Sequence, residues 1–399
     1  MVATVLALGA CAAAGAAPAG PVRPGIDVLL TDSIGLVRGK SVGLVTNQTG
    51  VDRSGVSDVE RLRAAGVRLV ALFSPEHGFR GAAAPGAAVS STVDSATGLP
   101  IYSLYGRTSA PTDSMLQGID VMLVDLQDAG ARYYTYLATT VNVIRSAGRH
   151  GIPVVVLDRP DPIGGKVQGN VLDTAYSSAV GLLAVPMRHG MTLGELTLLA
   201  VSDLKLNGKV SVVPVSGWRR EMTFDQTGLP FILPSPNLQS LEALFHYPGL
   251  CLFEGTALSV GRGTPHAFEM IGAPWLDTTA VLARLRAAQI PGVSFHGQTF
   301  RPRQPGDGKF ADTLVNGIRL EVTNRSMYDP TATAVQLLTA VQAVHPDRIG
   351  WRTGAFDRLA GGPGLREAVV AGTDPARIIG SWRGPLDRFL ARRRPFLLY

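Results

Sequence analysis

A chain of 399 residues is longer than one ordinary hydrophobic core and fits two compact domains. Hydrophobic residues at 46% and charged residues at 17% exclude wholesale disorder. The net charge of +6 comes without a long basic block, and the longest run is Arg392–Arg394. We therefore expect no nucleic-acid partner, although a mildly basic surface suits an anionic polymer.

Residues 1–20 combine a short apolar run with small residues, which is typical of a secretory signal rather than a membrane span. Within them, Leu8-Gly9-Ala10-Cys11 resembles a bacterial lipobox, whose cysteine becomes acylated. Because nothing before Cys11 is charged, an unspecific Ala-rich leader is the alternative. The prediction is an exported, periplasmic or cell-envelope lipoprotein that meets the membrane only through a lipid anchor on Cys11.

From residue 41 onwards, short apolar runs alternate with helical patterns. Strands are predicted at 41–46, 67–73, 119–124 and 152–157, and helices at 57–65, with Ser57 as N-cap, and at 133–147. Continuous apolar strands alternating with helices indicate a parallel sheet covered on both faces.

A Pro-rich crossing at 228–237 indicates the passage to a second domain, which gives domains at 25–235 and 236–399. This second domain mixes a strand at 317–323 with helices at 331–344 and 384–393. Its early Gly-rich loops, 254–256 and 259–264, are placed to close over a cleft.

All four predicted strands of the first domain end in polar loops. Open parallel sheets bind ligands outside the carboxyl ends of their strands, so these loops are expected to form one site. Each loop taken alone is also an ordinary turn. Together they supply the following side chains: Asn47, Gln48, Glu76, His77, Gln127, Asp128, Arg132 and Arg159.

Several other site classes are disfavoured. There is no G-x-G-x-x-G after the first strand, so no dinucleotide or other cofactor is predicted. His77 and His189 with Asp128 match no metal-binding spacing, and no metal is predicted. Cys251 lies in an apolar stretch and is predicted to be a buried free thiol. The segment 257–261 matches a nucleophile elbow too poorly to support a serine hydrolase.

Seven segments of the chain closely resemble the exo-β-N-acetylmuramidase (NamZ) family, formerly a domain of unknown function. They are Gly43–Gly50, Leu72–Gly78, Ser103–Gly106, Asp125–Tyr136, Val156–Pro160, Arg188–Glu195 and Ser259–Thr264. The match runs from about Gly25 to Tyr399, with departures at Asp161, Leu238 and Ala257 that affect fine specificity. The resemblance implies a Rossmann-like, mostly parallel sheet domain, a smaller α+β C-terminal domain and an active site in the cleft between them.

The resemblance also implies release of N-acetylmuramic acid from the non-reducing ends of peptidoglycan fragments, so the expected partners are muramyl saccharides. It places the catalytic residue at Glu76, which we interpret as a general acid kept protonated by an apolar loop. Acetamido sugars permit substrate assistance, in which a second carboxylate orients the acetamide. Asp128 and Asp125 are the candidates for that role, and Asp128 is favoured because a strand-end Asp often caps the following helix.

The remaining predictions concern substrate contacts. Arg132 and Arg262 are candidates for binding the lactyl carboxylate of muramic acid, since arginine binds carboxylates bidentately. Tyr134 is predicted to stack on a sugar ring, with a core position as its alternative. Asn237 follows the Pro-rich crossing and is added to the substrate-binding set. The competing class is a periplasmic-type binding protein for muramyl sugars, which is disfavoured because the second domain does not repeat the βα pattern.

Overall fold

The structure is a computed structural model that describes residues 20–399, so the leader and Cys11 lie outside the described residues. The strands are β1 (Ser41–Thr46), β2 (Arg68–Ser74), β3 (Thr92–Val93), β4 (Pro100–Ser103), β5 (Val121–Asp125), β6 (Val154–Leu157), β7 (Gln168–Val171), β8 (Pro186–Arg188), β9 (Val210–Val213), β10 (Met270–Ala273), β11 (Val293–Phe300) and β12 (Val315–Val322). The helices are α1 (Gly25–Asp32), α2 (Asp58–Ala64), α3 (Tyr136–Arg149), α4 (Leu193–Asp203), α5 (Leu241–Leu250), α6 (Thr278–Ala287), α7 (Pro330–Val344), α8 (Thr353–Ala360), α9 (Gly364–Val370), α10 (Pro375–Gly380) and α11 (Arg383–Arg393).

A seven-stranded sheet in the order β3-β4-β2-β1-β5-β6-β9 forms the larger, N-terminal part of the molecule. All neighbouring pairs are parallel except the edge pair β3 and β4. Without β3, the six parallel strands follow the doubly wound order of a Rossmann fold, and the order reverses between β1 and β5. The predicted Rossmann-like, mostly parallel sheet is confirmed.

Alternate residues of the central strands enter two separate cores. Val42 and Leu44 of β1 pack with α1 and α2 on one face of the sheet. Val45 faces the opposite side, where α3 and α4 cover the sheet. Burial of both faces explains why these strands read as continuous apolar runs in the sequence. A Cβ at Gly43 of β1 would lie 2.6 Å from the Met122 sulfur and 2.8 Å from Ile119 Cδ1, so a larger residue there would displace buried side chains.

A smaller C-terminal part contains the antiparallel sheet β10-β12-β11 and helices α5 to α11. Its apolar side chains belong to the same continuous core as α3 and α4, so the two parts are packed together rather than loosely linked. The predicted boundary at 235/236 falls in the irregular segment between β9 and α5. Among residues 20–399, none of the helices has the length and apolar character needed to cross a bilayer.

Local signals in the sequence are reflected in individual elements. Ser57 caps α2, where its side chain accepts a hydrogen bond from the Val59 amide. The helix predicted from 133 begins at Tyr136, because the preceding residues form a turn in which the Tyr134 amide donates to the Ala131 carbonyl. Cys251 is buried and free, as predicted.

Candidate active site

A cavity of about 180 Å³ lies at the carboxyl edge of the parallel sheet, between the N-terminal and C-terminal parts. The loop after β2 contributes Glu76 and His77, and the segment after β5 contributes Tyr134 and Thr135. The remaining lining residues are Pro85, Tyr133, Val180, Ser235, Leu238, Tyr247, Glu254, Arg262 and Phe268. Residues that are far apart in sequence thus lie together near the carboxyl ends of β1 and β5, between which the strand order reverses.

The Glu76 carboxylate is half-buried and held by two hydrogen bonds. The Thr135 hydroxyl donates to Oε2 at 2.8 Å and the Gly86 amide donates to Oε1 at 2.9 Å. Burial, together with the nearby Glu76 carboxylate, raises the pKa of the Tyr105 hydroxyl to about 12. Polar donors from Thr135 and Gly86 thus contact the Glu76 carboxylate within a cavity whose wall also contains apolar side chains such as Leu238 and Phe268.

His77 is buried beside Glu76 in a left-handed conformation with φ of 70°. Its Nδ1 donates to the Ala83 carbonyl at 2.9 Å, and the Ala83 amide donates back to the His77 carbonyl. A positive φ is unfavourable for a residue with a Cβ, so these two bonds hold a turn that the chain would otherwise avoid. The turn places Glu76 at the cavity wall.

Glu254 is a second carboxylate in the cavity wall, and it forms an ion pair with Arg262. The Arg262 Nε lies 2.5 Å from Glu254 Oε1, and the Cys251 thiol lies 3.7 Å from Oε2. Although burial opposes the effect, Glu254 raises the pKa of Arg262. The buried Nη1 of Arg262 has no hydrogen-bond partner within residues 20–399. The sequence had indicated only that the loop containing Glu254 closes over the cleft.

Asp128 does not line the cavity. Its carboxylate is buried, accepts a hydrogen bond from the Gly130 amide at 2.8 Å, and lies 3.6 Å from His189 Nε2. Asp125 is also buried and forms an ion pair with Arg159 at 2.5 Å. Of the carboxylates considered, Glu76 and Glu254 are therefore the two that reach the cavity.

Four other predicted residues bind within the protein instead of lining the cavity. Asn47 donates to the Tyr136 hydroxyl at 2.7 Å, and Gln48 donates to the Leu233 carbonyl at 2.8 Å. Gln127 and Arg159 line a separate crevice of about 10 Å³, which is too small for a sugar ring. These four side chains hold loops behind the site, and their role as direct ligands stays a prediction.

Arg132, Tyr134 and Asn237 differ in how they relate to the cavity. Arg132 lies outside it, with its terminal nitrogens donating to carbonyls of Asn170, Val185 and Leu359, an arrangement that gives Arg132 a structural role. Its role as a substrate ligand stays a prediction. Tyr134 lines the cavity, but it is 7% exposed and its hydroxyl donates to the Pro234 carbonyl at 2.6 Å. Asn237 does not line the cavity, although its neighbour Leu238 does.

Within residues 20–399, no group of three or more His, Cys, Asp or Glu side chains is arranged to hold a metal ion. The functional groups that line the cavity are carboxylates, hydroxyls, the His77 imidazole and the Arg262 guanidinium. Most glycoside hydrolases use a pair of carboxyl groups that flank the scissile glycosidic bond.

Comparison with known proteins identifies the family. The profile described as exo-beta-N-acetylmuramidase NamZ, N-terminal, matches residues 42–242, and its C-terminal counterpart matches residues 245–399. The chain belongs to the NamZ family. It is 41% identical over 381 residues to the peptidoglycan beta-N-acetylmuramidase NamZ of Bacillus subtilis (strain 168), covering 95% of this chain and 91% of the relative.

Two solved structures of DUF1343 family proteins from Bacteroides fragilis NCTC 9343 share the fold of this NamZ family member. One has a TM-score of 0.87 at 33% identity and the other a TM-score of 0.79 at 30% identity. In both cases the similarity covers 95% of this chain and 99% of the other. The similarity therefore includes both the parallel sheet and the C-terminal part.

Proposed function

We propose that the protein is a glycoside hydrolase that releases N-acetylmuramic acid from the non-reducing ends of peptidoglycan fragments. The 41% identity to a peptidoglycan beta-N-acetylmuramidase over nearly the whole chain supports this substrate class. The observation that carries the proposal is the cavity that both Glu76 and Glu254 line. The alternative of a binding protein for muramyl sugars has no support, because the C-terminal part does not repeat the parallel βα lobe.

Glu76 is the proposed general acid that protonates the leaving glycosidic oxygen. The Thr135 hydroxyl and the Gly86 amide fix the Glu76 carboxyl group at the cavity wall, and a general acid must be positioned in this way beside the leaving oxygen of a bound substrate. The second role, orienting the substrate acetamide, was expected for Asp128. We assign it to Glu254, because Glu254 lines the cavity and Asp128 does not.

Glu76→Gln tests the acid role. Positioned acid catalysis is worth about 10² to 10⁴ in rate, so kcat on a muramyl disaccharide should fall by that order. The loss should be smaller on nitrophenyl N-acetylmuramide, whose leaving group needs little protonation. Glu60→Gln changes an exposed carboxylate remote from the cavity and serves as the matched control. Near-normal turnover of the disaccharide by Glu76→Gln would contradict the role, and equal losses on both substrates would indicate an orienting residue.

Arg262 is the proposed ligand of the lactyl carboxylate that distinguishes muramic acid from glucosamine. Its unpartnered Nη1 and its place in the cavity wall suit a carboxylate ligand, whereas its Nε is taken by Glu254. Arg262→Gln should raise KM for the muramic substrate far more than for a glucosamine analogue. Arg286→Gln, at an exposed position of α6, should change neither. An equal rise of KM on both substrates would remove the assignment.

For localisation, the proposal is an envelope lipoprotein acylated at Cys11. It is supported by the small-residue leader and by Leu8-Gly9-Ala10-Cys11. A single acyl chain gives only marginal attachment, so firm anchoring needs several chains. Cys11→Ser should yield soluble or uncleaved protein in cell fractionation, and an unchanged membrane fraction would count against the lipobox.

A further inference from the structure

A second cavity, of about 600 Å³, lies at the junction of the N-terminal and C-terminal parts and shares no lining residue with the candidate active site. Its walls come from the segment after β6, from the end of β8, from residues 220–226, from α5 and from the loop before α7. A cavity of this size accommodates a small organic ligand, for which volumes of roughly 300 to 1,000 Å³ are usual.

The charge of this second cavity is strongly positive. Lys166, Arg188, Arg220 and Arg325 line it, against Glu221 as the single carboxylate in its wall. Arg220 is neutralised by an ion pair with Glu195, Arg325 by one with Asp225, and Glu221 is itself paired with Arg219. Within residues 20–399, Lys166 and Arg188 form no ion pair, so neither of these two positive charges has a carboxylate in direct contact.

Arg188 is 2% exposed, so its uncompensated charge is costly. One terminal nitrogen donates to Gln168 Oε1 at 2.8 Å and the other to the Ile163 carbonyl, while the buried Nε has no partner within residues 20–399. Burial lowers the pKa of Arg188, and the more distant Asp161 and Asp329 oppose this only in part. An anion in the cavity would supply the missing compensation.

Lys166 lines the same cavity as Arg188. Its ammonium donates to the Arg325 and Ser326 carbonyls, which anchors it at the cavity rim. Burial and the positive charge of Arg188 both lower the pKa of Lys166, as expected for two like charges that repel each other. The same pair of cations suits an oxyanion, because guanidinium and ammonium groups donate charge-assisted hydrogen bonds to carboxylate and phosphate oxygens.

We propose that this cavity is a second ligand site, distinct from the candidate active site, that binds a small molecule through a carboxylate or phosphate group held by Arg188 and Lys166. The site does not depend on the proposed hydrolysis, since none of its residues touches the cavity that contains Glu76 and Glu254. Phe245 forms an apolar wall, and the Arg325 guanidinium lies over its ring at 4.8 Å from the centroid. A ligand with an apolar or sugar face beside its anionic group would fit these walls.

Isothermal titration calorimetry of the full chain with inorganic phosphate tests the site. Wild type should bind one phosphate with an affinity that falls as salt is raised. Lys166→Glu should weaken binding by about tenfold or more, and Arg188→Gln should abolish it. Lys209→Glu makes the same charge change at an exposed lysine remote from this cavity and should leave the affinity within about twofold. Because Lys166 is exposed, its variant keeps the test valid if Arg188→Gln fails to fold.

Two competitors distinguish the source of the anion. Displacement of phosphate by N-acetylmuramic acid, but not by N-acetylglucosamine, would assign the site to carboxylated sugars. Displacement by neither would assign it to phosphate-bearing ligands. Hydrolysis of a muramyl disaccharide by Lys166→Glu should stay close to the wild-type rate, so failure of this site and failure of the proposed hydrolase function give different results. Equal phosphate binding by wild type, Lys166→Glu and Arg188→Gln, or no binding to wild type, would overturn the proposal.

Discussion

At the scale of single residues, the buried side chain of Asp161 shows how burial changes the pKa of a carboxyl group. Asp161 is 1% exposed, and its Oδ1 accepts a hydrogen bond from the Ile163 amide at 3.1 Å. Its buried Oδ2 has no hydrogen-bond partner within residues 20–399. Burial raises the pKa of Asp161 to about 7, with His189 opposing the shift and Asp128 adding to it. Asp161 is one of the positions at which the sequence departs from the motifs of the family that it resembles.

Asp161→Asn should stabilise the protein in a pH-dependent way. Between about pH 4 and 7 the folded state retains a proton that the unfolded state has released, so the contribution of Asp161 to the free energy of unfolding falls as pH rises through this window. The variant removes that loss, and we expect a gain on the order of 1–3 kcal/mol at pH 8 and little gain at pH 4. Urea unfolding at both pH values measures it.

The matched control for Asp161→Asn is Asp347→Asn, which makes the same chemical change at an exposed position. It should alter the free energy of unfolding by less than about 0.5 kcal/mol at either pH. A gain for Asp161→Asn of the same size at pH 4 and pH 8 would show that the effect comes from packing and not from the buried charge.

At the scale of elements, the loop that contains Glu254 is held by a buried lysine. Lys309 is 6% exposed, and its ammonium donates to the carbonyls of Phe253, Glu254 and Leu258 at 3.2, 3.3 and 2.8 Å. Burial lowers the pKa of Lys309 to about 8, against the opposing charges of Asp307 and Glu254. The other charges that face it, Arg352 and Arg262, lower its pKa further.

Lys309→Met should lower kcat on a muramyl disaccharide, because three carbonyls of the Glu254 loop lose their donor. Wild-type activity should fall as pH rises through about 8, since a neutral amine has only two hydrogens for three carbonyls. The variant should lack this alkaline decline. The pKa of Lys309 is about 8 in the folded state and 10.5 in the unfolded state. Between these pH values only the unfolded state holds the proton, so the contribution of Lys309 to the free energy of unfolding rises with pH.

Profiles of kcat against pH for wild type, Lys309→Met and Lys209→Met check this expectation. Lys209 is exposed, and its variant should keep the wild-type profile. An alkaline decline that persists unchanged in Lys309→Met would assign that decline to another group.

At the scale of the whole molecule, one core extends from the α3 and α4 face of the parallel sheet into the C-terminal part. Arg132 adds a polar link across the same junction. Its terminal nitrogens donate to the carbonyls of Asn170 and Val185 in the N-terminal part and of Leu359 in α8. The cavity walls therefore depend on a fixed arrangement of the two parts, which this residue helps to maintain.

Arg132→Gln should destabilise the fold without changing substrate preference. Leaving buried carbonyls unpaired costs about 1–3 kcal/mol each, so the free energy of unfolding should fall by about 3 kcal/mol or more. The ratio of the KM values for muramic and glucosamine substrates should stay at the wild-type value. A selective rise of KM for the muramic substrate would show that Arg132 binds the lactyl carboxylate.

The sequence by itself determined the parallel sheet and the edge at which the site lies. The apolar runs at 41–46 and 119–124 contain enough local information, because strands buried on both faces must be apolar throughout. Strands that carry little such pattern were not predicted, among them β3, β7 and β8, which are two to four residues long. The sequence motif that contains Glu76 also identified one residue of the cavity wall.

Only the tertiary structure decided which polar side chains reach the cavity. Asp128 and Arg132 follow the same strand as Thr135, yet their side chains turn to His189 and to backbone carbonyls while Thr135 meets Glu76. Glu254 comes to the cavity from more than a hundred residues away, because packing of the C-terminal part brings its loop there. A sequence pattern fixes the face and end of an element, whereas the direction of a polar side chain is set by partners that only the fold assembles.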